Sequence, residues 1–208
     1  GAEPAEIADL LRGDARLACL WNQAMGEPPP ASPQALLVPL AKTLGAYVAT
    51  TTSAANAGWA KELGADLVID YKKESFETLL EDYDLVLNSQ DDKTLMKSLG
   101  VLKNGGTLIS ISGPPDPAFG KAIRAPGALR LAMGLISSRV RTEAKRRGVN
   151  YSFLFMKASG EQLQQMTRLI DSGAIRPVID RVFTFDQTQE ALAYVETGRA
   201  KGKVVIKN

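Results

Sequence analysis

The chain has 208 residues, of which 45% are hydrophobic and 23% are charged, and this composition is typical of a globular domain with a sizeable core. It contains no histidine and a single cysteine, Cys19. These two counts exclude an internal disulfide, a zinc site of the Cys/His type and any hydrolysis that depends on an imidazole base. The net charge of +2 gives no general reason to expect a nucleic-acid partner.

Residues 1–35 follow no regular pattern, and we interpret them as an unassigned lead or linker. The first of them are acidic and lack the basic and apolar regions of a secretion signal, so a cytoplasmic location and no membrane partner are expected. Arg16 to Trp21 is a candidate strand. The stretch that follows it is rich in proline, with Pro28, Pro29, Pro30 and Pro33.

From Leu36 onward, extended and helical signals alternate in the rhythm of βαβ units. Strands are predicted at Ala46 to Thr51, Asp66 to Asp70, Tyr83 to Leu87 and Thr107 to Ser112. Helices are predicted at Leu36 to Leu44, Ala54 to Leu63, Lys72 to Glu81 and Lys93 to Leu102. The pattern indicates an α/β fold with a Rossmann-like, doubly wound parallel sheet. It leaves open whether the first strand is missing or altered, or is supplied by Arg16 to Trp21.

The segment 114–148 interrupts this rhythm and is strongly basic. Between Ala118 and Gly148 there are eight cationic residues and one acidic residue, Glu143. We expect an inserted helix or helix pair. Such a segment could bind anionic lipid or nucleic acid, but a cationic helix face is more often simply solvated, and neither partner is predicted.

The remainder of the chain returns to alternating elements. A strand is predicted at Tyr151 to Met156 and a helix from Ser159, which suits an N-cap, to Ser172. Strand, helix and strand are then predicted at Arg181 to Phe185, Gln187 to Glu196 and Lys203 to Lys207.

An ordered series of segments carries a family resemblance over about residues 40–208. These segments are LAKTLGA at 40–46, LGAD at 63–66, VIDY at 68–71, LKNGG at 102–106 and GRAKGKVVI at 198–206. Together they resemble the zinc-independent, NADP-dependent quinone oxidoreductases of the medium-chain dehydrogenase/reductase superfamily. The resemblance implies an NADP-binding domain at 36–175 and a C-terminal segment at 176–208 that rejoins a substrate domain in full-length relatives. The family's GroES-like substrate domain and glycine-rich first turn have no recognisable counterpart.

The missing glycine-rich turn bears directly on cofactor binding. In a dinucleotide fold the pyrophosphate is held by backbone N–H groups of this turn at a helix N-terminus. The turn should fall near residues 27–34, which read EPPPASPQ. Proline offers no N–H and Glu27 would repel a phosphate, so the sequence predicts a poor pyrophosphate site.

Residues after the predicted strand Ala46 to Thr51 are candidates for contacts with the adenosine end of the cofactor. An NAD-binding strand ends in a carboxylate for the ribose 2′-hydroxyl, whereas this strand is followed by Thr52, Ser53 and Asn56. Small neutral donors suit a 2′-phosphate. The alternative for Ser53 is that it only caps the following helix.

The resemblance adds further candidates. It implies contact of Tyr71 and Arg199 with the 2′-phosphate region, approach of the nicotinamide ribose to Ser112 and Gly113, and a place beside the nicotinamide for Phe153 and Phe155. For each of these residues a packing, turn or surface role is the alternative. No metal ligand is implied.

The sequence therefore predicts the nucleotide-binding portion of an NADPH-dependent oxidoreductase that reduces a quinone or enone, with its catalytic competence left open. The cofactor would carry the hydride chemistry. The alternative is a non-catalytic α/β binding or scaffold module that self-associates. An unpaired sheet edge would favour such association, and a homo-oligomer is expected.

Overall fold

The computed structural model describes residues 14–20, 33–155, 158–197, 200 and 202–208, with the backbone alone for residues 33–36. Its main sheet is parallel and has the strand order β3-β2-β1-β4-β5-β6. The strands are β1 (Arg16–Leu20), β2 (Tyr47–Thr52), β3 (Leu67–Asp70), β4 (Tyr83–Asn88), β5 (Leu102–Ser110) and β6 (Asn150–Phe153). This is the doubly wound order of a dinucleotide-binding fold, so the predicted fold class is confirmed.

The first strand is present, and it lies at the centre of the sheet. Leu17 of β1 pairs with Val48 on one side and with Leu85 on the other. The candidate strand at Arg16 to Trp21 is thus found as Arg16–Leu20, and the alternative that the first strand is missing is wrong. The unpaired central edge that suggested self-association does not exist.

Helices cover both faces of the sheet and bury two apolar clusters. The helices are α1 (Pro33–Thr43), α2 (Ala57–Glu62), α3 (Asp92–Ser98), α4 (Pro117–Ala122), α5 (Gly127–Ile136), α6 (Ser138–Arg146), α7 (Gly160–Asp171) and α8 (Thr188–Glu196). Alternate residues of β1 belong to opposite clusters, with Leu17 on one face and Leu20 on the other. Side chains of a strand point alternately to its two faces, so an apolar strand such as β1 contributes side chains to both apolar clusters.

Two predicted helices differ from the structure. Residues 72–81 form a turn, closed by the N–H groups of Lys73 and Glu74 on the Asp70 carbonyl, and a single 3-10 turn, Phe76–Thr78. Burial of Phe76 in the core fixes this short connection without a full helix. The helix predicted at Lys93 to Leu102 ends at Ser98, because Leu102 already pairs with Tyr83 as the start of β5.

The inserted segment forms three helices, α4 to α6, instead of one or two. Beyond it, β7 (Ile179–Thr184) and β8 (Lys203–Lys207) form a separate two-stranded parallel sheet. Ser159 caps α7 as predicted, since its Oγ accepts a hydrogen bond from the Gln162 N–H at 3.3 Å. None of the described helices combines the length and the apolarity that crossing a bilayer requires.

Candidate functional site

The carboxyl ends of the six strands meet at one edge of the main sheet, which is where ligands of doubly wound folds bind. Tyr71 follows β3 at one end of this edge, and Phe153 closes β6 at the other. Five strand spacings of about 4.8 Å separate the two ends by roughly 24 Å. The predicted adenosine and nicotinamide residues therefore lie at opposite ends of one extended edge.

A cleft of about 220 Å³ opens at the carboxyl ends of β2, β3 and β4. Tyr71 lines it from the end of β3, and the backbone N–H of Tyr71 donates to the Thr52 carbonyl oxygen at 3.2 Å. The other walls come from β2, the 3-10 turn and the start of α3, through Thr51, Glu74, Ser75, Phe76, Glu77, Gln90, Asp91, Lys93, Thr94 and Lys97. The cleft thus combines two aromatic rings, those of Tyr71 and Phe76, with many hydrogen-bonding groups.

Charges of both signs surround the cleft. Glu77 forms an ion pair with Lys97 through Oε1, and its other oxygen, Oε2, is buried with no hydrogen-bond partner. Burial acts to raise the pKa of Glu77, but the hydrogen bond from Lys97, a backbone hydrogen bond and the charges of Lys97 and Lys93 together hold the pKa below its usual value. The carboxylate is therefore ionised at neutral pH and keeps one free acceptor.

Asp91 shapes the neighbouring wall by capping α3. Its Oδ1 accepts a hydrogen bond from the Thr94 N–H at 2.8 Å. That backbone hydrogen bond is the main reason that the pKa of Asp91 lies below its ordinary value. On the Tyr71 side, the Lys72 ammonium lies 6.0 Å from the centre of the Tyr71 ring, and Lys73 pairs with Asp70 at 3.9 Å.

The end of β2 carries hydroxyl groups and no carboxylate. Thr52 and Ser53 are buried there, next to Tyr71. Ser53 precedes the 3-10 turn Ala54–Asn56 but makes no capping hydrogen bond with its side chain. The capping alternative for Ser53 is therefore wrong. Asn56 ends the same turn, and neither it, Ser53 nor Thr52 lines the cleft itself.

At the middle of the edge, polar groups connect β4 to β5. The Ser112 hydroxyl donates to the Gln90 carbonyl at 2.6 Å, and the Gly113 N–H donates to Ser110 Oγ at 2.8 Å. A Cβ on Gly113 would lie 2.8 Å from both Ser110 Oγ and the Tyr151 hydroxyl oxygen. A side chain at residue 113 would therefore force Ser110 or Tyr151 to shift.

Aromatic rings cluster at the far end of the edge. Phe153 meets Phe119 of α4 edge to face at 5.1 Å, and Phe155 lies 5.9 Å from the same ring. Phe153 is buried, whereas 61% of Phe155 is exposed. Asp116 holds this arrangement together, since its carboxylate accepts hydrogen bonds from the backbone N–H groups of Phe119 and Phe153.

The structure brings together some predicted residues and adds others. Tyr71 shares the cleft with Thr51, Gln90 and Asp91, which the sequence reasoning did not single out. The signal that could have identified them is their position, since Thr51 lies at the carboxyl end of β2 and Gln90 and Asp91 follow β4 closely. Arg199 and the connection at residues 21–32 lie outside the described residues. Within the described part of the chain there is no group of three or more His, Cys, Asp or Glu residues that could hold a metal ion.

Comparisons with known proteins agree with this architecture. Residues 63–206 match the family model described as zinc-binding dehydrogenase. The chain is 33% identical over 179 residues to the mitochondrial NAD(P)H oxidoreductase RTN4IP1 of Danio rerio, covering 81% of this chain and 44% of that protein. It is 35% identical over 176 residues to the 2-methylene-furan-3-one reductase of Solanum lycopersicum, covering 82% of this chain and 36% of that protein.

A solved quinone oxidoreductase from Coxiella burnetii superimposes with a TM-score of 0.69 at 25% identity, covering 98% of this chain and 56% of that structure. The chain thus spans less than half the length of the two curated relatives. It corresponds to their nucleotide-binding portion, and the predicted resemblance is confirmed. The chain belongs to the zinc-binding dehydrogenase family, among the quinone-oxidoreductase-like members of the medium-chain dehydrogenase/reductase superfamily.

Proposed function

We propose that this chain binds NADP through its adenosine end, as the nucleotide-binding portion of a zinc-independent NADPH-dependent reductase of quinones or activated alkenes. One observation carries the proposal. The cleft beside Tyr71 lies at the carboxyl ends of β2 and β3, where no carboxylate follows β2. A 2′-phosphate is tolerated at such a position, whereas an acidic residue there would repel it.

The residues around the cleft divide between the parts of a bound adenosine. Tyr71 offers a ring face for adenine. Lys72 and Lys73, which directly follow Tyr71, supply positive charge for the 2′-phosphate together with the hydroxyls of Thr52 and Ser53. We assign Asn56 and Arg199 to the same phosphate.

The pyrophosphate would be held weakly. Residues 21–32 contain one glycine, Gly26, and three consecutive prolines, Pro28 to Pro30. Each proline removes a backbone N–H from the place where a dinucleotide fold presents N–H donors. Most of the binding free energy should therefore come from the adenosine half of the cofactor.

The nicotinamide half would extend along the edge towards β6. We place the nicotinamide ribose beside Ser112 and Gly113, and the nicotinamide ring beside Phe153 and Phe155. When bound, NADPH supplies a hydride to an electron-poor double bond. The names of the relatives motivate this assignment of substrate class, since one is a 2-methylene-furan-3-one reductase and another an alkenal/one oxidoreductase.

The domain boundaries are part of the same proposal. Residues 36–175 with β1 form the NADP-binding unit, and residues 176–208 form a segment that joins a substrate domain in longer relatives. The separate sheet of β7 and β8 supports this division, because Ile179, Val182 and Phe185 are exposed on or next to it. A cytoplasmic location and a homo-oligomer remain predictions, and some relatives are named as mitochondrial or chloroplastic.

A titration with NADPH, followed by its fluorescence, tests the proposal. Binding should be weakened at least about tenfold by Tyr71→Ala, which removes the ring from the cleft. Adenosine 2′,5′-bisphosphate should compete about as well as NADPH, because the pyrophosphate adds little. Absence of NADPH binding at millimolar concentration would reject the proposal.

Binding without turnover would favour the second candidate, a non-catalytic α/β binding module. The proline-rich sequence at residues 21–32 is the observation that favours it. A quinone or enone added to the NADPH complex distinguishes the two, because only the reductase oxidises NADPH in its presence.

A further inference from the structure

The helix α5 exposes the side chains that a surface helix normally buries. Met133 is its one buried residue, while Leu131, Leu135 and Ile136 are each exposed by more than 60% and Leu129 by 47%. A helix on the surface of a globular protein turns its apolar side inward and its polar side to water. In α5 the charged residue Arg130 is exposed as expected, but most of the large apolar side chains are exposed as well. Exposed apolar surface of this kind marks a contact with something else.

Arginine side chains lie beside the exposed leucines of α5. Arg130 of α5 and Arg141 of α6 line one shallow groove together with Leu131 and Leu135. Glu143, the one acidic residue between Ala118 and Gly148, is already engaged by Arg146 and Arg147. Among the described residues, Arg130 and Arg141 form no ion pair. The groove therefore presents leucines and uncompensated positive charge side by side.

We propose that the groove formed by Leu131, Leu135, Arg130 and Arg141, here called the α5 face, docks on an anionic lipid surface. The leucine side chains enter the boundary between headgroups and acyl chains, and the guanidinium groups contact lipid phosphates. An interfacial helix of this type combines these two contributions. The proposal differs from a membrane span, and it replaces the sequence-based expectation that the basic segment is only solvated.

The charges disfavour two other occupants of this face, a second copy of the chain and a nucleic acid. In a symmetric dimer the same patch of each copy meets its equivalent, which would bring the arginines of both copies together. A nucleic acid would neutralise the arginines but leave the leucines in contact with water or phosphate. An anionic bilayer satisfies both kinds of side chain at once.

Sedimentation of the full chain with vesicles tests the proposal. Vesicles of phosphatidylcholine with phosphatidylglycerol should bind the protein, pure phosphatidylcholine vesicles should not, and added salt should weaken binding. The variant R130E/R141E should lower the partition coefficient at least about tenfold, because two cations become anions. The variant L131Q/L135Q should lower it comparably while leaving the circular dichroism spectrum unchanged, since both leucines are exposed.

The helix α7 provides matched controls. Leu163 is 63% exposed on it, and Arg168 is an exposed cation on the same helix. The variants L163Q and R168E should bind anionic vesicles like the original chain. Equal binding to neutral vesicles, or unchanged binding by both α5-face variants, would overturn the proposal. So would a dimer in light scattering that L131Q/L135Q converts to a monomer, or RNA binding that depends on the arginines and not on the leucines.

Discussion

The carboxylate of Asp84 accepts a hydrogen bond from the backbone N–H of Arg16 at 2.8 Å. Asp84 stands at the start of β4, and the bond joins it to the first residue of β1, which is distant in sequence but adjacent in the sheet. Lys103 of β5 forms an ion pair with the same carboxylate. A single side chain thus links three neighbouring strands at their amino ends.

Replacing Asp84 should destabilise the fold. The variant Asp84→Ala leaves the Arg16 N–H without its charged acceptor, and we expect the free energy of unfolding to fall by about 1–3 kcal/mol. Urea denaturation at neutral pH measures this change. The control Lys103→Ala removes only a half-exposed ion pair and should cost less than about 1 kcal/mol. Equal losses in the two variants would contradict the structural role of the Arg16 hydrogen bond.

The thiol of Cys19 reports whether β1 lies inside the sheet. Cys19 is 3% exposed, and burial raises the pKa of its thiol to about 12. We expect the native protein to react only very slowly with a thiol reagent at neutral pH, and the denatured protein to react at once. Because this is the one cysteine of the chain, the measurement has no background. Rapid labelling of the native protein would place β1 outside the sheet.

Acid should weaken the fold through Asp66. Its carboxylate accepts hydrogen bonds from the Val48 N–H at 2.7 Å and from the Lys42 ammonium at 2.8 Å. Burial acts to raise the pKa of Asp66, but these bonds outweigh it and hold the pKa below the ordinary value. The stabilisation is therefore fully present above the unfolded-state pKa of about 3.9 and is lost as the pH falls through the lower folded-state pKa.

The melting temperature measured against pH tests this dependence. The variant Asp66→Asn cannot lose a charge on acidification, so its melting temperature should fall less steeply below about pH 4 than that of the original chain. Parallel curves for the two proteins would show that other carboxylates cause the acid sensitivity.

Replacing Gly113 should destabilise the fold. The Cβ of Gly113→Ala would clash with Ser110 Oγ and the Tyr151 hydroxyl, which itself donates to the Pro114 carbonyl at 2.7 Å. We expect a loss of about 1–3 kcal/mol in the free energy of unfolding. Gly58 in α2 has open space around its missing Cβ, so Gly58→Ala should be neutral or stabilising by up to about 1 kcal/mol. Thermal melts of both variants make the comparison.

A carboxylate after β2 should change the preference between the two nicotinamide cofactors. The variant Ser53→Asp places a negative charge where we propose the 2′-phosphate, so NADPH affinity should fall at least about tenfold while NADH affinity falls less or rises. The neutral variant Ser53→Asn is the matched control and should retain the preference for NADPH. Fluorescence titrations with each cofactor give the ratio of NADPH to NADH affinity. An unchanged ratio in Ser53→Asp would show that the 2′-phosphate binds elsewhere.

Much of the fold follows from local signals in the sequence. The apolar segment YDLVL at residues 83–87 predicts a buried strand, and Ser159 predicts the start of α7, because both depend on neighbours in the chain. The connection after Asp70 was less predictable. Its apolar residues have a helical spacing, which predicts a helix. In the structure Phe76 reaches the core from a single 3-10 turn, because the positions of β3 and β4 set the distance that this connection must cover.

The sequence by itself determined the parallel α/β sheet, the lack of a carboxylate after β2 and the proline-rich stretch in place of a glycine-rich turn. These features depend on residue type and order alone. The tertiary structure decided the place of β1, since Leu17 finds its partners Val48 and Leu85 far along the chain. It also decided that α5 exposes its leucines, because periodicity indicates which residues share a helix face and packing alone decides which face is covered.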